Sequence, residues 1–192
     1  MKSLGTDVHT LNKNALGEVC RSRDVAKTFI YSWLLGAAAP KTASILDCTL
    51  KEAKQAREDF IEYYPNLKKI REVDIPRDAS RGYFIGIDGR KVKCDSEHTM
   101  LSGYLQNGEA VVMKRALLIA GEKLKPYDAR IVNFVHDEFL IEVTPEVSRC
   151  WETLCEVRDL TALSIKEAGI FYDLNCPLAG SGDVGETWAE IH

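Results

Sequence analysis

The stretch Val132–Val143 reads VNFVHDEFLIEV, two runs of strand-forming apolar residues separated by His136, Asp137 and Glu138. Adjacent carboxylates are hard oxygen donors, the ligand type that Mg²⁺ prefers, and Mg²⁺ sites are normally completed by water and substrate phosphates rather than by protein alone. Asp137 is therefore a candidate cation ligand with Glu138 beside it. A plain surface turn accounts for the same triplet, because aspartate is a common turn residue. A second set lies upstream. Arg23, Lys27 and Tyr31 recur at i, i+4 and i+8, which stacks them on one side of a helix. Arginine offers a planar fork to phosphate oxygens and lysine a mobile point charge, so these three residues suit an anionic ligand that carries a ring. A solvated helix face explains the spacing equally well.

These side chains need particular elements to hold them. The segment SRDVAKTFIYSWLLGA opens with Ser22, an N-cap residue type, and Val25, Ala26, Phe29 and Trp33 fall on the face opposite the basic residues. It predicts a helix over about 22–36, with Pro40 breaking the pattern. A charged amphipathic helix follows over 50–63, its inner stripe Ala53, Ala56, Phe60 and Tyr63 or Tyr64; Pro65 ends it and a short helix is expected over 66–73. Asp88-Gly89 in GYFIGIDGRKVKC predicts a tight type I′ hairpin, both residues at positive φ. A long helix is expected from about Ser96 to Lys123, then a hairpin over about 131–143 with His136, Asp137 and Glu138 at or beside its turn. Thr144-Pro145-Glu146 launches a helix to about Gly169, Phe171–Asn175 is a candidate last strand, and the remaining tail is irregular. Helices dominate the first part and hairpins alternate with helices in the second, an α+β pattern with an antiparallel sheet.

Composition bounds the function classes. A chain of 192 residues with 45% hydrophobic content can bury a real core. Its formal net charge of −4 argues against a general coat for nucleic acid, but leaves room for locally concentrated positive charge. The six cysteines include no CxxC pair and no histidine in zinc-finger register. No run of about 18 apolar residues occurs. Reduced thiols, no membrane contact and a cytoplasmic location are the expectation, the host cytoplasm if the gene belongs to a phage.

RDVAKTFIYSWLLG resembles motif B of the family A (polymerase I type) DNA polymerases, R-x-x-x-K-x-x-x-[FY]-x-x-x-[YL]-G, and VHDEFLIEV resembles their motif C. TDVHT (Thr6–Thr10) is similar to the D-[IV]-H segment upstream of motif B. IDGRKV, LQNGEAVVMKRA and the ending GETWAEIH are similar to phage-type members, in the same order along nearly the whole chain. The resemblance implies a helical fingers subdomain over 1–80 and the C-terminal portion of an antiparallel-sheet palm of a right-hand polymerase over 81–192. It implies template-directed transfer of dNTPs to a primer 3′-hydroxyl by a two-metal mechanism, with primer–template DNA as partner.

Residue by residue, the resemblance makes Asp137 a metal ligand and groups Asp137, Glu138 and Lys27 as the catalytic set. His9, Arg23 and Lys27 would contact the triphosphate and Tyr31 the sugar and base. Gln106 would probe the minor groove, whose acceptors all base pairs share. Arg90, with Lys91, would meet the DNA backbone, and His136 would lie near the primer terminus. Taken singly, each has an ordinary explanation: His9 as a cap or exposed histidine, Gln106 as a helix residue, Arg90 as the residue after a turn. Leu35 and Ser102 depart from the family, where tyrosine and asparagine are common. HDE at motif C, rather than HDS, favours DNA synthesis over a single-subunit RNA polymerase.

No string like the family's motif A, D-Y-S-x-[IL]-E, occurs in the chain. That strand carries the aspartate that shares two Mg²⁺ ions with motif C, and metals ~4 Å apart need more than one carboxylate to position them. The expectation is a split or truncated polymerase, inactive as a lone chain, whose metal site is completed by a complementary polypeptide carrying motif A and the thumb. Its absence leaves a sheet edge beside the motif C hairpin unpaired. The alternative is a non-catalytic remnant that binds DNA or a replication protein.

Overall fold

A computed structural model describes residues 7–94 and 96–191; Thr6 of the TDVHT segment and His192 of the C-terminal match lie outside the described residues. The chain forms two compact units, the first running to Ile85 and resuming over Lys91–Leu105, the second comprising Gly86–Arg90 and Gln106 onward. The break at residue 80, drawn from the fingers and palm pattern, is not where these units divide. The architecture is α+β, mainly helical with small antiparallel sheets.

The first unit contains helices α1 (Val8–Leu16), α2 (Arg23–Leu34), α3 (Ala39–Leu46) and α4 (Leu50–Tyr63). Asp7 caps α1 by accepting the Thr10 amide, and Ser22 caps α2 by accepting the Val25 amide at 3.2 Å. Thr49 and Glu52 form a reciprocal capping box on α4, satisfying two orphan amides at once. Ala26, Phe29, Ala53 and Phe60 are fully buried. The Phe60 ring meets Phe29 and Trp33 edge-on, at centroid distances of 5.1 and 5.5 Å, the arrangement that ring quadrupoles favour.

One sequence expectation for this unit, the hairpin turn, is corrected, and others gain detail. Pro40 breaks the α2 pattern as expected and sits in the first turn of α3, where a missing amide costs nothing. Ile61 is buried on α4 while Tyr63 is exposed, and Tyr64 donates its hydroxyl to Asn12 at 2.9 Å. Pro65 likewise opens a helix, α5 (Pro65–Lys69), which runs through a π-helical turn at Ile70–Asp74 into α6 (Ile75–Ala79). Strands β1 (Tyr83–Ile85) and β2 (Lys91–Lys93) pair antiparallel, but their turn is not type I′. Only Gly89 has positive φ, because Asp88 instead turns its carboxylate onto the Arg90 amide, and the loop closes by Gly86 N–H donating to the Arg90 carbonyl at 2.9 Å.

Helix α7 spans Glu97–Leu124, close to the expected long helix. In the second unit, strands β3 (Ala129–Val135) and β4 (Glu138–Val143) form a two-stranded antiparallel sheet with an irregularity between Ile131 and Asn133. The expected single helix after Thr144 is two: α8 (Pro145–Ser148) and α9 (Trp151–Phe171). Cys150 breaks them by adopting an extended conformation, φ −102° and ψ 101°, and accepts the Thr153 hydroxyl on its sulfur at 3.1 Å. Phe171–Asn175 is no strand. It is the end of α9, where Asp173 turns left-handed at φ 50° and the Leu174 amide reaches back to the Gly169 carbonyl at 3.1 Å. Val112, Ala116 and Ala168 form one buried cluster here, Leu124, Val147 and Val157 another.

Candidate active site

Two groups of candidate residues occupy the two units. In the first unit, α2 buries Ala26, Phe29 and Trp33 and turns Arg23, Lys27 and Tyr31 outward, Tyr31 being 54% exposed. Helix α1 packs on α2 and brings His9 to Tyr31, ring centroids 6.1 Å apart. The same packing sets the Asp7 carboxylate 2.6 Å from the Arg23 Nε. That hydrogen bond and the guanidinium charge lower the Asp7 pKa to about 2 and raise the Arg23 pKa further. Lys27 has no hydrogen bond or ion pair among the described residues. The His9 Nδ1 is buried and has no hydrogen-bond partner among the described residues. His9, Arg23, Lys27 and Tyr31 thus gather on one face: two cations, an imidazole and an exposed phenol ring, a set able to hold a polyphosphate with a ring attached.

In the second unit, Val135 pairs with Glu138, leaving His136 and Asp137 as the two-residue loop of the β3–β4 hairpin. Both are exposed, while Phe134 and Phe139 face each other across the strands at 5.7 Å. The polar triplet therefore interrupts an apolar stretch because the chain reverses there. His136 holds φ at 53°, the left-handed region that costs an L-residue about 1–2 kcal/mol. Asp137 and Glu138 offer oxygen donors of the kind Mg²⁺ takes. They are too few to hold it alone, and among the described residues no three His, Cys, Asp or Glu side chains lie together as a metal site.

Arg90 and Gln106 lie in the same unit on other elements. Arg90 closes the loop between β1 and β2, its side chain ion-paired with Asp88. Burial works against ionisation of Asp88, but hydrogen bonds from Arg90, backbone and side chain, keep its pKa below the usual value. Gln106 is exposed on α7. Lys91 belongs to the first unit, its ammonium 4.8 Å from the Tyr83 ring centroid. Leu35, the α2 C-cap, is 60% exposed. Asp7 was not singled out from sequence, although an aspartate followed by an apolar residue at the start of a helix is a capping signal.

The chain belongs to DNA polymerase family A: the family model matches residues 1–190. It is 31% identical over 196 residues to the DNA-directed DNA polymerase of Escherichia phage Phieco32, covering 97% of this chain and 30% of that one. It is 28% identical to the DNA-directed DNA polymerase of Escherichia phage T7, covering 98% of this chain and 29% of the relative. Cellular relatives include the thermostable DNA polymerase I of Thermus filiformis, 27% identical over 88% of this chain and 21% of that enzyme. The chain thus spans less than a third of the length of these relatives. Its fold matches the POL domain of Pol1 from M. smegmatis, solved in complex with DNA primer-template and dNTP, with a TM-score of 0.70 at 22% identity, over 85% of this chain and 31% of that one. Among the described residues no helix is long and apolar enough to cross a membrane.

Proposed function

We propose that this chain is the fingers and C-terminal palm portion of a DNA-directed DNA polymerase, extending a primer 3′-hydroxyl with dNTPs. Catalysis also needs motif A and the thumb, which these 192 residues do not include. The supporting observation is the exposed face of α2, which carries Arg23, Lys27 and Tyr31 and where α1 packing brings His9 to Tyr31 and Asp7 to Arg23. In this reading Arg23, Lys27 and His9 bind the triphosphate and draw off negative charge as the α-phosphate is attacked and pyrophosphate leaves. Tyr31 lies against the sugar and base. Gln106 donates to minor-groove acceptors, Arg90 and Lys91 meet phosphates, and His136 approaches the primer end.

Asp137, with Glu138 beside it, contributes hard oxygen ligands for Mg²⁺, the further carboxylate coming from motif A outside this chain. Bound there, Mg²⁺ would act as a Lewis acid on the reacting oxygens. Asp137 stands at a hairpin tip, where solvent and substrate phosphates can fill the positions the protein leaves open.

Steady-state incorporation by the completed enzyme tests the nucleotide face. A charge-assisted hydrogen bond is worth about 1.5–3 kcal/mol, so Lys27→Ala should lower kcat/KM for dNTPs about ten- to a hundredfold with unchanged circular dichroism. Unchanged kinetics would make the Arg23–Lys27–Tyr31 stripe a solvated helix face.

A further inference from the structure

At the C-terminal end of α2, the first unit has a half-open cavity of about 370 Å³, within the size range of small-ligand sites. Its wall includes Trp33, Gly36, Arg57, Arg71, Glu97 and His98. Trp33 is 4% exposed, and its indole Nε1 is buried without an acceptor among the described residues. Leaving such a buried donor unpaired is unfavourable. Arg71 lies in the π-helical turn Ile70–Asp74, its guanidinium carbon 5.6 Å from the Trp33 ring centroid, and such turns occur often at functional sites. Arg57 donates from one terminal nitrogen to the Ala37 carbonyl at 2.7 Å and to the Thr42 hydroxyl at 3.0 Å. Those bonds fix its position and leave further N–H groups uncommitted.

The charges here are unbalanced. Arg57 and Arg71 repel each other: burial first, then the charge of Arg71, lowers the Arg57 pKa. Glu97 also lines the cavity but forms no ion pair with either arginine among the described residues. Gly36 packs closely against His98 at a φ of 87° that L side chains rarely adopt; a Cβ there would stand 3.1 Å from the His98 carbonyl and 3.4 Å from its Nε2. Two guanidinium groups, an indole N–H and an imidazole around one cavity are nearly all donors. The complement of such a set is a compact anion with several acceptor oxygens.

We propose that this cavity is a second anion site, binding a phosphate group through Arg57, Arg71, His98 and the Trp33 indole N–H. The phosphate is either part of a polynucleotide backbone or a free ion. The site is separate from the nucleotide face of α2 and does not depend on its assignment.

The Trp33 indole resonance reports occupancy directly. The chain has three tryptophans, and Trp151→Phe and Trp188→Phe, at positions 61% and 47% exposed, identify Trp33 by elimination. ¹⁵N-labelled protein is titrated with inorganic phosphate and, separately, with a single-stranded oligonucleotide, with chloride at matched ionic strength as control. The Trp33 signal should shift saturably. Arg71→Gln should weaken the response at least about fivefold and Arg71→Lys restore part of it, the loss of one short-range charge being of that size near a protein surface. Glu97→Gln, at an exposed position where folding is not at risk, should tighten binding about two- to fivefold by removing the opposing charge. A response to phosphate alone assigns the site to a free ion, and a response to the oligonucleotide alone assigns it to a backbone. A Trp33 signal that stays fixed, or follows chloride equally, would overturn the proposal. So would binding indifferent to both Arg71→Gln and Glu97→Gln.

Discussion

The Arg23 guanidinium donates to Asp7, and a triphosphate on the same face would draw on the same donors. Asp7 thus caps α1 and, in the proposed function, would compete with the triphosphate for Arg23. Because its folded pKa lies near 2, below the ordinary carboxylate value of 3.8, its ion pair contributes fully above pH 4 or so and is lost as pH falls through about 2. Arg23 stays charged throughout. NMR titration of the Asp7 carboxyl should give a midpoint near 2 in the wild type and a clearly higher one in Arg23→Ala, where only the cap amides still lower it. Equal midpoints would mean that the ion pair does not persist in solution. Lys27, without such a tether, is available at any pH at which it is charged.

At the scale of elements, α2 is the best determined piece, since one helix supplies both the buried stripe and the exposed basic face. Phe60→Ala should remove the ring against which Phe29 and Trp33 close, costing about 3–5 kcal/mol. Thermal unfolding should then fall by roughly 10 °C; a drop of only a degree or two would contradict this account of the core. At the β3–β4 turn the sign reverses. His136→Gly should leave stability unchanged or raise it by less than about 1 kcal/mol, since glycine accepts positive φ but loses more entropy on folding. A clear loss in a melting curve would show that His136 contributes packing there.

These elements also show what the sequence made legible. The heptad-like spacing of Ala26, Phe29 and Trp33 and the Ser22 cap carry α2 in full view, and strand alternation around His136–Glu138 carries the hairpin. Short helices were harder, because α1 and α3 draw their stability from packing on α2 and α4 more than from their own patterns. The break at Cys150 was invisible, since the proline signal at Pro145 is real but starts only α8. Tyr172-Asp173-Leu174 read as strand on composition, whereas local hydrogen bonds make it a helix end. Of the candidate residues, spacing alone gave the α2 face and the adjacent carboxylates. His9, Arg90 and Gln106 rested on family resemblance, and Asp7, quoted only as part of the TDVHT match, gained a role from its 2.6 Å contact with Arg23.

For the whole molecule, the proposed function makes the hairpin tip only part of a metal site. The chain covers 30% of the Phieco32 polymerase and 29% of the T7 polymerase. Among the described residues β3 and β4 have no third strand, and Val132 and Val135 on β3 are 50% and 44% exposed. A motif A strand alongside would cover an edge that is otherwise open to aggregation and would bring the missing carboxylate. The most direct measurement is primer extension with Mg²⁺ and all four dNTPs. It compares the chain alone, the chain combined with a polymerase fragment that carries motif A and the thumb, and the same pair carrying Asp137→Asn. The account predicts extension by the pair only, abolished by Asp137→Asn while primer–template binding persists. Extension by the lone chain, or near-wild-type extension by the Asp137→Asn pair, would contradict it.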